Sequence, residues 1–320
     1  MTSRRVLVTG ANGFVGRAVV LRLLRDQVLM PVAAVRSASC LSGLCPTVIF
    51  DLSSAKELPE LEAIDVVIHA AARVHVMKES SPDALAAFRK VNVDGTVRLA
   101  RKAAQSGVRR FIFISSIKVN GEITLPGRPF RADDVPAPQD PYGVSKLEAE
   151  QALRSIGRET GMEIVIVRPP LVYGPGVRAN FQRVMSLLTR RLPLPMGSID
   201  NRRSLVGINN LVDLIVTCID RDAARNQTFL VSDDKDLSTS ELLRCLQATI
   251  GRKALLLPFP ELLLTAALRL FGMGSVSQRL CGSLQVDISQ TKKTLDWTAP
   301  YSPEKELQKT ALKFLESTND

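Results

Sequence analysis

Tyr142 and Lys146 stand four residues apart in the run DPYGVSKLEAEQAL, a spacing that puts a phenol and an ammonium on one face of a helix. A free phenol ionises at about pH 10, too high for work at neutral pH, and an adjacent cation lowers that value toward the useful range. Tyr142 is thereby a candidate proton donor or acceptor, with Lys146 as the group that tunes it. Ser115 and Ser116 close the apolar run FIFISS, where a hydroxyl at a strand end could bind the same substrate oxygen. The Tyr-Lys pair alone also suits an ordinary solvated helix face, so its meaning depends on what lies upstream.

Upstream is LVTGANGFVG, residues 7–16, with glycines at Gly10, Gly13 and Gly16. Val6, Leu7 and Val8 read as a buried strand, and Phe14 to Leu24 as a helix with Phe14, Val15, Ala18, Val19, Leu21 and Leu23 at its apolar positions. The glycines then occupy a strand-to-helix turn, where a pyrophosphate can approach backbone N–H groups at the positive end of the helix. Arg36 follows Gly16 by twenty residues, where a dinucleotide fold commonly places an acid on the ribose 2′-hydroxyl. A guanidinium there accommodates a 2′-phosphate and favours NADP over NAD. Asp51 ends the next strand and would either bond the adenine or cap the turn that follows. Ala70, Ala71 and Ala72, after His69, would let a cofactor lie against the backbone or would simply pack closely.

These residues need a frame that brings strand ends together. Apolar runs at Val6 to Thr9, Met30 to Arg36, Thr47 to Asp51, Asp65 to Ala70, Arg110 to Ser115 and Glu163 to Arg168 alternate with helical patterns. That rhythm predicts an α/β fold with a doubly wound parallel sheet, its ligands at the carboxyl ends of the strands. After Pro169 the pattern changes, and residues 204–232 read as strand, helix and strand returning to the sheet. The expected division is a Rossmann-type NAD(P)-binding domain of residues 1–170 plus about 204–232. A smaller, discontinuous C-terminal substrate domain takes about 171–203 plus 233–320.

With 320 residues the chain is long enough for such a pair of units, and its net charge of +10 is scattered rather than blocked. Scattered charge predicts a solvated surface with a few phosphate-binding arginines, not nucleic-acid binding. Five separated cysteines and two histidines, His69 and His75, suggest neither a disulfide framework nor a metal site. The apolar stretch Leu255 to Gly272 is broken by two prolines, Glu261 and Arg269. It is too short and interrupted to span a bilayer and reads as a loop and buried helix, with membrane-surface contact as the alternative. No signal peptide is read at the N-terminus, and a cytoplasmic protein is expected.

Taken together, TGANGFVG, the HAAA strand end, VNVDGT (residues 91–96), SSIKVNG, PYGVSK, RPPLVYGPG and RRSLVGINNLVDL resemble, in order, the extended short-chain dehydrogenases/reductases of the sugar-nucleotide epimerase, dehydratase and reductase branch. The resemblance implies a catalytic set of Ser116, Tyr142 and Lys146. It implies cofactor contacts from Gly10, Asn12, Gly13, Phe14, Val15, Gly16, Arg36, Asp51, Leu52, Ala70, Ala71, Ala72, Tyr142 and Lys146. Asn180, Arg203 and Arg279 match positions that hold the nucleotide diphosphate of a UDP-sugar. Where relatives read VYG this chain has Val119-Asn120-Gly121, so Asn120 stands at the position of their tyrosine. The dehydratase relatives place an acidic residue directly after the position of Ser116, whereas this chain has Ile117, leaving Lys118 without an acidic neighbour in sequence.

Within that branch the likeness is to UDP-sugar 4-epimerases and to the 4-keto reductases that make UDP-N-acetylquinovosamine for bacterial surface polysaccharides such as O-antigen and lipopolysaccharide. Arg36 tilts the expectation toward reduction of a UDP-4-keto-6-deoxy-N-acetylhexosamine with NADP(H). The alternative is a UDP-hexose or UDP-N-acetylhexosamine 4-epimerase holding NAD, and a third is a regulator that binds NAD(P) without turnover. The resemblance also implies a homodimer through the helix at Ala84 to Ala104 and the helix of Tyr142, with Leu85, Phe88, Val97 and Leu99 as apolar material.

Overall fold

Runs of β-branched and aromatic residues between turn signals form nine strands among the described residues of the computed structural model, which are 4–37, 40–54, 58–74, 83–178, 180–190, 192–251 and 254–319. The strands are β1 Arg5–Thr9, β2 Met30–Val35, β3 Thr47–Ile49, β4 Val66–His69, β5 Arg110–Ile114, β6 Glu163–Arg168, β7 Leu171–Tyr173, β8 Leu205–Gly207 and β9 Thr228–Leu230. The helices are α1 Phe14–Asp26, α2 Ala84–Arg89, α3 Gly95–Gln105, α4 Pro141–Thr160, α5 Asn180–Thr189 and α6 Ile208–Asp220. They continue with α7 Thr239–Ile250, α8 Glu261–Leu270, α9 Gly274–Cys281, α10 Ser289–Leu295 and α11 Pro303–Asn319.

Seven strands make one parallel sheet in the order β3-β2-β1-β4-β5-β6-β9. The order reverses between β1 and β4, and a crevice at that switch point is where such sheets take their ligands. Along β1, Val6 and Val8 join one core and Leu7 the other, the pattern of a strand buried on both faces. The first core is closed by α1 and α6, the second by α3 and α4. A third core gathers Tyr173, Phe181, Met185, Leu188, Leu205, Leu243, Leu246, Leu307 and Phe314. Leu284, Val286, Ile288, Leu295 and Trp297 belong to the first.

The structure redraws several expectations. Of the strands expected at residues 204–232, only β9 rejoins the sheet, because β8 pairs with β7 in a separate two-stranded sheet. The helix expected at Ala84 to Ala104 is broken by a π-turn at Lys90–Asp94. Phe88 and Leu99, expected at a dimer face, are buried within the subunit: Leu99 lies in the second core and Phe88 stacks edge-on to Tyr142. Leu85 and Val97 remain half-buried. The helix within Leu255 to Gly272 is not buried, since α8 turns in only Leu264 and exposes Leu262, Leu263 and Leu270. Periodicity identifies an apolar face, and among the described residues no element packs over it.

Candidate functional site

At the β1–α1 turn, Gly10 adopts φ +66°, and a Cβ on it would come within 2.8 Å of the Ala71 nitrogen. A Cβ on Gly16 would approach the Gly10 carbonyl oxygen to 2.3 Å. Only glycine closes this turn, which the Gly13 N–H fastens by donating to the Gly10 oxygen at 2.8 Å. Gly13 is the N-cap of α1 and makes no side-chain cap hydrogen bond. The first N–H groups of the helix therefore suit a phosphate. The cradle fits a dinucleotide pyrophosphate, with Asn12, Phe14 and Val15 on its helix side and Ala70, Ala71 and Ala72 leaving β4 on the other.

Beneath the turn, the Thr9 hydroxyl meets His69 Nδ1 at 2.7 Å and accepts from the Ala71 N–H at 3.2 Å. His69 Nε2 lies 2.9 Å from Thr96 Oγ1. Complete burial, aided by the Lys146 charge, holds the His69 pKa down to about 3, so the imidazole is a neutral spacer. His75 lies outside the described residues. In the π-turn, Asn92 is buried. Its amide donates to the Arg73 carbonyl and to Ser145 Oγ, while its oxygen accepts from the Arg73 N–H. Asn92 thereby fixes the segment after the alanines to α4.

Arg36 lies exposed just after β2, within electrostatic reach of Asp51. Asp51 accepts from the Ser53 N–H and hydroxyl, both at 2.9 Å, and these bonds lower its pKa. The carboxylate therefore caps its own turn. Leu52, expected against the cofactor, has its side chain packed into the second core.

Asp140 starts α4 by accepting from the Gly143 N–H at 2.6 Å, with Pro141 in the first turn, where its missing N–H costs nothing. Tyr142 and Lys146 then share the face that the spacing predicts. Lys146 Nζ donates to the Ile114 carbonyl at 2.8 Å and sits 4.5 Å above the Phe113 ring centroid and 5.9 Å from that of Tyr142. The expected lowering of the phenol pKa is not what this environment produces. Burial raises it, Asp140 adds to that, and a Ser116 hydrogen bond only partly opposes them. Burial also pushes Lys146 down to about 7, against the pull of Glu150. Lys146, its Nζ turned to the Ile114 carbonyl, does not offset the phenol's desolvation.

The two serines separate. Ser115 is buried and donates to Glu150, which Arg168 grips through Nε at 2.9 Å and Nη2 at 2.6 Å. Ser116 keeps its hydroxyl on the Tyr142 side, where its oxygen also accepts from the Lys118 N–H at 3.2 Å. Sequence reasoning misses the Glu150–Arg168 pair, although Tyr142, Lys146 and Glu150 repeat at four-residue intervals along one helix face. Lys118 Nζ is bound by Asp140 and Glu122. Burial works against its charge, but those hydrogen bonds prevail and raise its pKa.

Toward the smaller core, Arg203 Nη1 donates to the carbonyls of Arg279 and Gly282, both at 3.0 Å. Burial lowers its pKa, yet a guanidinium remains charged. The structure thus brings Arg203 beside the α9 segment that carries Arg279, whose side chain is exposed. Asn180 opens α5, and its side chain lies outside the described residues. Among the described residues no group of acidic, cysteine and histidine side chains could hold a metal ion.

Comparison with known proteins agrees with this frame. The model of the NAD dependent epimerase/dehydratase family matches residues 6–232. A UDP-glucose 4-epimerase of Vibrio cholerae is 47% identical over 319 residues, covering 99% of this chain and 97% of the relative. The structure of a UDP-glucuronic acid 4-epimerase from Bacillus cereus in complex with NAD superposes with a TM-score of 0.79 at 21% identity, covering 98% of this chain and 99% of the other. That of a UDP-glucose 4-epimerase from Thermotoga maritima with UDP-glucose gives 0.77 at 21% identity and the same coverage. At such identities the structures speak for the fold.

Proposed function

Because the chain belongs to the NAD dependent epimerase/dehydratase family, we propose that it transfers hydride at C4 of a UDP-sugar, with Tyr142 exchanging the proton of the C4 oxygen. The observation that carries this reading is the meeting of Ser116, Tyr142 and Lys146 at the ends of β5 and α4, on the ligand side of the sheet. The nicotinamide, when bound, supplies or accepts the hydride. In the reducing direction the Tyr142 phenol would donate its proton to the sugar oxygen and become the phenolate, and in the oxidising direction that phenolate would take the proton back. Ser116 Oγ steadies the same oxygen, while Lys146 Nζ, anchored on Ile114, sets the local charge. Arg203, with Asn180 and Arg279, holds the diphosphate and fixes the nonreacting end of the substrate.

Two outcomes share these residues. Epimerisation of a UDP-hexose or UDP-N-acetylhexosamine at C4 takes precedence, because the Vibrio cholerae relative supports it along 99% of the chain. Net reduction of a UDP-4-keto-6-deoxy-N-acetylhexosamine is the second reading, favoured by Arg36 where NAD binding would place an acid. The 4,6-dehydratase reading is disfavoured by Ile117, which stands in place of an acidic residue after Ser116, although Lys118, without an acidic neighbour in sequence, meets the carboxylates of Asp140 and Glu122 in space. One experiment separates the two: UDP-glucose and UDP-GlcNAc together with no added cofactor in one tube, and a UDP-4-keto sugar with NADPH or NADH in another. Formation of UDP-galactose or UDP-GalNAc in the first supports epimerisation. Nicotinamide oxidation confined to the second supports the reductase, and silence in both overturns the proposal.

The same reading includes a cytoplasmic homodimer serving surface-polysaccharide synthesis and paired through the α2–α3 segment and α4. A single-chain mass of 35.0 kDa in light scattering overturns the dimer. The two-unit division, residues 1–170 plus about 204–232 and about 171–203 plus 233–320, stays part of the proposal, with Leu284, Val286, Ile288, Leu295 and Trp297 of the second unit packing on the first core of the sheet.

A further inference from the structure

The helix α8 and the turn after it expose large apolar side chains to solvent: Leu262 and Leu270 are each 85% exposed, Phe271 75% and Leu263 58%. At about 100° per residue, Leu262, Leu263, Ala266, Ala267 and Leu270 fall within an arc of about 140°. The one buried residue of the helix, Leu264, lies on the other side. Arg269 borders the arc, and α9 follows with Val276 half-open and Arg279 exposed. From Ala254 to Cys281 the only charges are Glu261, Arg269 and Arg279. Neither arginine side chain makes an ion pair among the described residues.

We infer that α8 and the start of α9 form a docking face for an anionic phospholipid surface, with the leucines and Phe271 entering the acyl boundary and Arg269 at the headgroups. An apolar arc with a basic side chain at its border, here Arg269, is the pattern of a helix lying in the plane of a membrane interface. No helix among the described residues is long and apolar enough to cross a membrane, so the contact is peripheral. A second copy of this chain is the competing occupant, and the mass of the triple variant tests it. The face is firmly mounted, because the end of α9 is tied to the body of the protein. Thr239 Oγ1 donates to the Leu280 carbonyl at 2.7 Å, Asn201 Nδ2 to the same oxygen at 3.1 Å, and Arg203 to the Arg279 carbonyl. The inference stands apart from the C4 chemistry.

The test is co-sedimentation of the full chain with vesicles of phosphatidylcholine alone and of phosphatidylcholine with a quarter phosphatidylglycerol. The wild type is expected to partition onto the anionic vesicles at least tenfold better than onto the neutral ones. The triple variant Leu262→Ser, Leu270→Ser, Phe271→Ser should lose at least tenfold of that partitioning, and Arg269→Gln about fivefold, the effect of one arginine near a charged bilayer. Circular dichroism and light scattering in vesicle-free buffer check that the variants keep fold and mass. Should the triple variant fail to fold, Leu262→Ser alone serves. Wild type that stays in the supernatant with both vesicles overturns the inference, as does a triple variant that binds like wild type. Equal binding to both vesicles overturns the anionic assignment. A triple variant with half the wild-type mass shows that a second copy covers the face, and overturns it too.

Discussion

At the proposed cofactor end of the site the polar groups spend their hydrogen bonds on one another, whereas at the proposed substrate end the cations are left partly free. Thr9, His69 and Thr96 form a closed buried chain, and Ser115, Glu150 and Arg168 form a second. Arg203 leans on two carbonyls with no carboxylate partner among the described residues, and Arg279 stands exposed above it. A site that must place a hydride and a proton to within a fraction of an ångström gains from rigid support. A site that grips a flexible diphosphate gains from unspent donors. The C4 chemistry proposed for this chain needs both.

The sharpest break of that comparison is Tyr142→Phe, which keeps the ring and removes the acid. Turnover should fall about a hundredfold to ten-thousandfold, the usual loss with a general acid or base, while the thermal unfolding midpoint holds. Near-normal turnover would remove Tyr142 from its role. Next in size is Arg168→Ala, which leaves Glu150 buried without its ion-pair partner. Breaking such a pair costs about 3–5 kcal/mol, so urea unfolding should shift by that order, whereas an equal shift is not expected for Arg203→Ala.

Acid should also act on the cofactor end. His69 has a folded pKa of about 3 against an ordinary value of 6.5, so between those values the unfolded chain binds a proton that the folded chain refuses. Stability from this group therefore rises with pH across that window and is lost as pH falls. From pH 7 to pH 5 the loss is about 2 kcal/mol. Denaturation midpoints of wild type and His69→Gln at the two pH values check it, the variant showing the flatter dependence. At the substrate end, Arg203→Leu should raise KM for the UDP-sugar about tenfold and leave kcat nearly unchanged, the mark of lost uniform binding. A fall in kcat with unchanged KM would place Arg203 at the chemistry instead.

What the sequence makes legible divides along the same line. The glycine turn and the Tyr142–Lys146 face follow from local spacing, and the parallel sheet follows from alternating runs. Ser115 and Ser116 are indistinguishable as letters, because only Glu150, thirty-five residues away in the chain, decides which hydroxyl turns inward. The His69–Thr96 contact crosses twenty-seven residues and carries no local signal. For α8 the failure is of another kind: an apolar face looks the same in sequence whether a neighbouring element covers it or nothing does. The phenol pKa departs from expectation because a neighbouring charge can be read from spacing, whereas burial cannot.

The smallest expected effect bears on which cofactor the rigid end receives. Arg36 is exposed, so its attraction for a 2′-phosphate is screened by water and salt, and its influence on choice of cofactor is modest. Arg36→Asp removes the cation and supplies an acceptor for a ribose 2′-hydroxyl. If the guanidinium reads the phosphate, the ratio of kcat/KM for NADPH to that for NADH should fall about fivefold, a change of the size expected for one screened, charge-assisted contact. The variant leaves Gly10, Tyr142 and Lys146 untouched, so turnover at saturating NADH should survive. A wild type that already prefers NADH, with a ratio indifferent to Arg36→Asp, would mean that β2 does not read the ribose. Arg36 would then cease to argue for net reduction, and the tightly held NAD of an epimerase would be the form that this end of the cleft is built to keep.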